Sequence, residues 1–503
     1  MTRQTRAGRR TAGRKDRRRL PAAKKSAYFI GIKGVGMTML AQFLAASGWR
    51  VSGSDVKDVF LTDKVLRREK IPVFSPFTAK NIPSRPDLIV YSSAYDAKNN
   101  PELAYIRKRP ARFQGVRVLS FAVALGEIFN RHYGLAVCGS HGKTTTTAWL
   151  GYVLWRAGKS PSVLVGSRVP QFKGSSLKGR SRYFVAEVDE YQNKFQYFKP
   201  RAAVLNNIDY DHPDYFKTPA AYIKAFADFL KKIPARGFLV MNAGDKNVNK
   251  IKKNCRGKII TYALAAKGDG SAKKGSGKSA RLRADYLAAD PRLKDGREFF
   301  HVFYRGRDWG EFASRLAGEH NVLNALAVIA AARALKVPLK KIRKHLAGFL
   351  GAERRSQVLG RYRGALMIDD YAHHPTEIKA TLKALKAAYP KKRLLAVFHP
   401  HTFTRTKALF KGFVAGFKDA DELIILDIYA SARERRGGVS GAQLVRDIGR
   451  ENGRRGRKQP VRHIPTLKAA AAYLRRHLGH NDLLVLMGAG DVFRVGEDLL
   501  KKI

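Results

Sequence analysis

Cysteine, long apolar runs and acidic side chains are all scarce in this chain, and each scarcity removes a class of protein. Cys138 and Cys255 are the only two thiols. They are too few for a disulfide framework or a cysteine-rich metal site, so a reducing compartment is expected. Cys138 falls in an apolar stretch and reads as a small core residue. No stretch approaches the roughly 18 uninterrupted apolar residues of a membrane span. The basic N-terminus is not followed by the apolar core of a secretory signal. A cytoplasmic protein with no membrane partner is the expectation. Asp and Glu number 40 against 97 Lys and Arg, a net charge of +57, far more than solubility requires.

What is present suffices for several folded domains. A chain of 503 residues, 45% hydrophobic and 10% aromatic, exceeds what one core organises and predicts two to four domains. The excess charge has identifiable parts. Residues 1–25 form a basic Ala/Gly/Pro-containing segment that reads as a disordered tail. A second low-complexity run, about 265–285, reads as a flexible basic loop inside a domain. The remainder is spread over ordinary helix faces such as "LKALKAAYPKKR". No nucleic-acid-binding signature accompanies it, so no specific nucleic acid is expected as a partner.

Three α/β units follow one another. The first, residues 26–129, opens with "AYFIGIKGVGMTMLAQFLAASGWRVSGSD": an apolar strand, glycines 31, 34 and 36, an amphipathic helix, and a second strand ending in Asp55. This is the layout of a nucleotide-binding βαβ unit. Its Gly-x-x-Gly-x-Gly order departs from the dinucleotide fingerprint, so NAD is not favoured. The second unit, residues 130–357, alternates strands and helices and predicts a mostly parallel sheet covered on both faces. The third, residues 358–503, again ends apolar strands in polar clusters: Asp369, Asp370 and Tyr371 with His373 and His374, then His399 and His401 with Arg405, then Ser431 with Arg433 and Glu434. Paired histidines suggest zinc, but Arg405 and Arg433 suit anions and would oppose a cation.

The stretch with the most chemistry in it is "VCGSHGKTTTTAWL" at 137–150. Gly139 and Gly142 let the backbone bend tightly around a phosphate, and the helix that follows aims its positive end there. Lys143 would sit against the β- and γ-phosphates, and the Thr144 hydroxyl would ligate Mg²⁺. In a parallel sheet, ligands gather at the carboxyl ends of the strands. The loop 139–144, residues 187–190 and Asp211–His212 should therefore converge, with Glu187 and His212 completing the metal set.

The ordered set "GIKGVGMTMLAQ…GSD", "GSHGKTTT", "EVDEY…F", "NNIDYDHPDYF", "GEHNVLNALA", "ERRSQVLG", "DDYAHHPTEI", "FHPHTFTRT", "DIYASARE…G" and "GAGDV" resembles the Mur ligases from Tyr28 onward. The resemblance implies an N-terminal Rossmann-like UDP-binding domain, a central P-loop-type ATPase domain and a C-terminal Rossmann-like domain. It implies ATP- and Mg²⁺-dependent amide-bond formation between L-alanine and the carboxylate of UDP-N-acetylmuramate, through an acyl phosphate, by a monomer or weak dimer. Gly139, Ser140, His141, Gly142, Lys143, Thr144 and Thr145 would cradle ATP. His320, Asn321 and Asn324 would face its adenine side, Arg354 or Arg355 its phosphates, and Tyr371 the closing face. Gly34, Val35, Gly36, Met37, Asp55, Ser92 and Ser93 would hold the UDP moiety. His373, His401 and Arg405 would face the acceptor.

Lys143, Glu187, His212, His373 and Arg405 are the expected catalytic groups. Ser356 stands where the family resemblance leads one to expect Phe. Lys33 stands where many members have Gly, and a lysine there would suit a pyrophosphate. Two rivals are a ligase that re-attaches a recycled tripeptide to UDP-N-acetylmuramate and, in another class, a basic nucleic-acid-binding ATPase.

Overall fold

A computed structural model describes residues 24–265, 284–430, 434 and 437–501. The expected tail and basic loop lie outside the described residues apart from their edges, as do Ser431 and Arg433. Three sheets organise the rest. The first is wholly parallel, with strands in the order Val73–Phe74, Arg50–Ser54, Ser26–Ile30, Leu88–Tyr91, Arg117–Ser120. Successive strands run outward from Ser26–Ile30 in both directions, so the glycine turn after Ile30 opens at the point where the strand order reverses.

The central sheet has ten strands. From one edge they are Arg307–Ser314, Arg297–Tyr304, Tyr286–Lys294, Lys258–Leu264, Phe238–Asn242, Ala202–Leu205, Tyr133–Cys138, Tyr183–Glu187, Ser162–Val169 and Gly174–Leu177. Its interior pairs are parallel, and antiparallel pairs occur only toward the two edges. The strands flanking Tyr133–Cys138 are buried along nearly their whole length, which is why they read as continuous apolar runs rather than alternating ones. Helices Lys143–Arg156 and Glu319–Ala334 cover one face with Trp149, Val153, Leu326 and Ile329, all fully buried. Tyr222, Phe226 and Phe229 of the helix Pro219–Leu230 cover the other.

The third sheet runs Gln357–Tyr362, Ala365–Asp370, Asp482–Met487, Arg393–Phe398, Glu422–Ile425, Val461–His463, parallel except for the first pair. The observed class is the expected one: three α/β units with mostly parallel sheets. Among the described residues no helix is long and apolar enough to cross a membrane.

Candidate active site

The loop that leaves Tyr133–Cys138 enters the helix Lys143–Arg156 through Gly142, whose φ of 77° is left-handed. A Cβ at that position would lie 2.5 Å from Asn324 Oδ1, so packing as well as backbone conformation demands glycine. The helix start has no side-chain cap, which leaves its positive end facing the loop. The next strand over holds the loop in shape. Ser140 N donates to the Asn207 carbonyl at 3.1 Å, His141 N donates to Asn207 Oδ1 at 2.8 Å, and Ser140 Oγ donates to the Asp209 carbonyl at 2.7 Å.

Lys143 bends back over the loop, donating to the carbonyls of Gly139 at 2.6 Å and Ser140 at 3.1 Å. Its Nζ lies 3.8 Å from Glu190 Oε2. Thr144 Oγ1 donates to Glu187 Oε1 at 3.0 Å, and Glu187 Oε2 accepts from Gly166 N at 2.8 Å. Thr145 is buried in the same first turn. His212, at a left-handed φ of 56°, lies with Nε2 3.7 Å from both Glu190 Oε1 and Asp211 Oδ2 and packs against Tyr191. The three strand ends thus converge as their positions predict. The convergence has two parts: Thr144 with Glu187, and Lys143 with Glu190 and His212.

Glu190 is almost fully buried. Its Oε1 accepts from Tyr222 OH at 2.8 Å, while its Oε2 accepts no hydrogen bond. In sequence this residue is the last of the three carboxylates of "EVDE", and the motif alone assigns it no role beside Glu187. Asn324 and Asn321 form a polar layer beneath the loop. Asn324 Oδ1 accepts from Thr146 Oγ1 at 3.2 Å, and Asn324 Nδ2 donates to Asn321 Oδ1 at 3.2 Å. His320 sits at the start of the same helix, where burial holds its pKa below the ordinary value.

The segment that leads into the C-terminal unit meets this loop and that unit's strand ends. Arg355 Nη2 donates to Thr144 Oγ1 at 3.3 Å. Arg354, at a φ of 60°, turns the other way, to Asp369 Oδ2 at 3.1 Å and the Gly488 carbonyl at 2.8 Å. Both guanidiniums lie about 5 Å from the centre of the Tyr371 ring. Ser356, where Phe was expected, uses its N–H and hydroxyl to bind Asp370 Oδ2 at 2.7 and 3.0 Å.

His141 is clasped from two units. Nε2 lies 3.0 Å from Asp209 Oδ2, and Nδ1 lies 3.2 Å from Glu377 Oε1 on the helix Pro375–Ala388. Burial works against a charge on the ring, but these two carboxylates outweigh it and raise the pKa to about 9. His373 is pushed down to about 3 by burial, with Arg405 adding to the effect against Glu377. His401 is lowered to about 4, also by burial and Arg405, and its Nδ1 faces Arg405 Nη1 at 3.2 Å.

Metal-ligand-type atoms of His141, Asp209 and His374 fall within 4.8 Å of one another. The ring nitrogens are already engaged, however. His374 Nε2 faces the Tyr210 carbonyl at 3.2 Å and its Nδ1 accepts from Thr376 N at 3.3 Å. This is a hydrogen-bonded seam rather than an open coordination site.

The first sheet's turn has its own anchor. Asp55 accepts from Lys33 N at 2.6 Å and Val56 N at 2.8 Å. Gly34 caps the helix that begins at Val35, Gly36 and Met37. Ser92 binds Ala94 N through its hydroxyl, and Ser93 is exposed beside it. Lys33 departs from expectation. Its buried ammonium donates to the carbonyls of Val56 at 2.9 Å and Asp58 at 2.8 Å, with Asp63 at 3.6 Å. Its charge therefore stitches down the segment after Asp55 instead of standing free at the turn.

Comparison with known proteins gives the same three-part division. The family model described as "Mur ligase family, catalytic domain" matches residues 26–133, the "Mur ligase middle domain" matches 137–332, and "Mur ligase, glutamate ligase domain" matches 354–490. A UDP-N-acetylmuramate–L-alanine ligase of Desulfitobacterium hafniense is 37% identical over 474 residues, 94% of this chain and 99% of that protein. In fold, the chain is similar to a UDP-N-acetylmuramate-alanine ligase of Thermotoga maritima (TM-score 0.75, 24% identity, 95% and 98% of the two chains). It is also similar to a murein peptide ligase of Psychrobacter arcticus (TM-score 0.68, 24% identity, 95% and 98%). With models matching most of its length and a close relative covered almost end to end, the chain belongs to the Mur ligase family.

Proposed function

We propose that the chain joins the amino group of L-alanine to the carboxylate of UDP-N-acetylmuramate, with ATP consumed to ADP and phosphate, as a cytoplasmic step in peptidoglycan precursor synthesis. The observation that carries this reading is the 37% identity, over nearly the full length of both chains, to a ligase of that name. A free carboxylate has no adequate leaving group, so it must first be activated. One carboxylate oxygen attacks the γ-phosphorus of ATP, that O–P bond forms, and the bond to the bridging oxygen of ADP breaks. The amine then attacks the acyl carbon, phosphate departs, and the ammonium proton passes to solvent.

The residues suit these steps. The uncapped helix start and left-handed Gly142 give a concave backbone for phosphates. Lys143 would exchange its two loop carbonyls for the transferring phosphoryl and stabilise the charge that develops there. Thr144, Glu187 and His212 are the groups that would hold Mg²⁺, which when bound neutralises charge on the phosphates. The buried Oε2 of Glu190, which accepts no hydrogen bond and has only the Lys143 ammonium at 3.8 Å among the described residues, fits a cation at this place. Arg355, which touches Thr144, is the better candidate for the phosphate arginine; Arg354 positions Tyr371. His320, Asn321 and Asn324 lie on the nucleotide side. Gly34, Val35, Gly36, Met37, Asp55, Ser92 and Ser93 take the UDP moiety, and His373, His401 and Arg405 face the acceptor. Domain limits near residues 129 and 357 and a monomer or weak dimer complete the proposal.

The test is phosphate release and product mass with ATP, Mg²⁺, UDP-N-acetylmuramate and either L-alanine or the L-alanyl-γ-D-glutamyl-diaminopimelate tripeptide. An alanyl adduct from L-alanine is expected. A product with tripeptide alone would move the chain to recycling. Ligation that survives Lys143→Ala would remove the phosphate loop from the mechanism.

A further inference from the structure

The edge of the central sheet opposite the nucleotide loop carries a groove of about 440 Å³. It is lined by Arg131, His132, Tyr133, Arg182, Arg201 and Arg236, and by no carboxylate. Four consecutive strands of the sheet build it: Phe238–Asn242, Ala202–Leu205, Tyr133–Cys138 and Tyr183–Glu187. Arg236, Arg201 and Arg182 each stand immediately or two residues before the start of one of these strands, and Arg131 two residues before the remaining one. Neighbouring strands are about 4.8 Å apart, so the four guanidiniums are set out across roughly 15 Å on arms long enough to converge. Parallel strands put all four starts on one edge and the nucleotide loop on the other, roughly 17 Å away along Tyr133–Cys138.

These charges are not neutralised locally. Among the described residues, Arg182, Arg201 and Arg236 have no carboxylate in ion-pair reach. Arg182 instead lies over the Tyr133 and Tyr183 rings at 5.4 and 5.5 Å. Arg131 has only Glu127 at 4.0 Å, and that carboxylate is already bound by Arg117. The Lys199 backbone bonds Asn130 on the groove's rim at 2.7 Å. Burial and the Lys199 charge hold the nearby Lys232 ammonium below its ordinary value. Guanidinium forks grip phosphate oxygens two at a time, and several converging on one concave site favour adjacent phosphates over isolated ones.

We propose that this groove is a second anion site, separate from the nucleotide loop, that binds a compact ligand with two or more adjacent phosphates. Such a ligand is either a free inorganic oligophosphate or the phosphate tail of a nucleotide.

The test is calorimetric titration of the full chain with inorganic tripolyphosphate and with GTP. It compares the parent protein, the triple variant Arg182→Glu/Arg201→Glu/Arg236→Glu, and a charge-matched control, Lys253→Glu/Lys340→Glu/Lys391→Glu, whose residues are exposed elsewhere. All substituted positions lie on the surface, and thermal melting checks that each variant folds. The arginine variant is expected to weaken tripolyphosphate binding at least about tenfold and to flatten its salt dependence, while the control changes it less than about threefold. Tighter binding of GTP than of tripolyphosphate in that same arginine-dependent component identifies a nucleotide; equal binding identifies the phosphates alone. Equal weakening in both variants would reduce the groove to diffuse charge and overturn the proposal. So would a single-stranded oligonucleotide that binds through these arginines where tripolyphosphate does not.

Discussion

Arg405 and Asp211 form a buried two-point ion pair between the C-terminal and central units, with Nε 2.8 Å from Oδ1 and Nη2 3.3 Å from Oδ2. Each is 6% exposed. Burial works against the Asp211 charge, but Arg405 outweighs it and holds the carboxyl well below the usual range. The third guanidinium nitrogen donates toward His401 Nδ1, so one ion pair both joins two units and orients an imidazole.

Breaking one half of this pair leaves the other half charged and buried. Asp211→Asn is expected to lower stability by about 3 kcal/mol, and Arg405→Met/Asp211→Asn to recover part of that loss. Thermal or urea unfolding of the two single variants and the double variant gives the coupling directly. A coupling below about 0.5 kcal/mol would mean that the seam is held by its other contacts.

The His141 clasp makes the seam pH-dependent. The ring's folded pKa of about 9 lies above the unfolded value of about 6.5. Its stabilisation is therefore complete below about pH 6.5 and is lost as pH rises through 9. Asp209, lowered to about 2, and Glu377, lowered well below its ordinary value, act in the opposite direction. Their contribution is present above about pH 4 and fades as pH falls through their folded values. His373, at about 3, does not titrate in the alkaline window. Melting temperature should decline from pH 6.5 to 9, and His141→Gln should flatten that decline. An unchanged slope in the variant would assign the alkaline loss to other groups.

Gly142 is where backbone geometry is most exacting. Gly142→Ala places a methyl 2.5 Å from Asn324 Oδ1 at a φ of 77°. The left-handed backbone alone costs about 1–2 kcal/mol, and the clash adds to it by moving an amide that also binds Thr146. Binding of ATP should weaken at least about tenfold with little change in the KM for UDP-N-acetylmuramate. Steady-state phosphate release with each substrate varied in turn separates the two.

The glycine loop, the strands that end beside it and the three-unit order were all legible because they depend on local signals: glycine spacing, apolar runs, and polar residues at strand ends. The misread or missed residues depend on long-range geometry. Glu377 meets His141 across 236 positions, and in sequence it is only the third residue of a helix after His374. Arg354 and Arg355 are equivalent in sequence, and the left-handed turn at Arg354 sends one to carbonyls near residue 488 and leaves the other at Thr144. Lys33 looked free at the glycine turn because the segment 56–63 that surrounds its ammonium carries no pattern that announces its path.

Glu190 tests how the chemistry divides between the two glutamates of "EVDE". Glu187 binds the Thr144 hydroxyl, whereas Glu190 stands between Lys143 and His212, and its Oε2, which faces Lys143, accepts no hydrogen bond. A buried carboxylate in that position can serve as counter-ion to Lys143, or it can share in holding the divalent cation. In either role Glu190→Gln should cut kcat by about 10²–10³, because the charge beside the transferring phosphoryl changes. The Mg²⁺ titration tells the roles apart. A carboxylate that helps to hold the cation should raise the Mg²⁺ needed for half-maximal rate by about tenfold when replaced, and a pure counter-ion should leave it unchanged. Tyr222→Phe removes the hydroxyl that donates to Glu190 Oε1 and keeps the charge. It should therefore cost less, about tenfold in rate, with the Mg²⁺ requirement of the parent. Phosphate release measured across a Mg²⁺ series for the three proteins decides between the two roles.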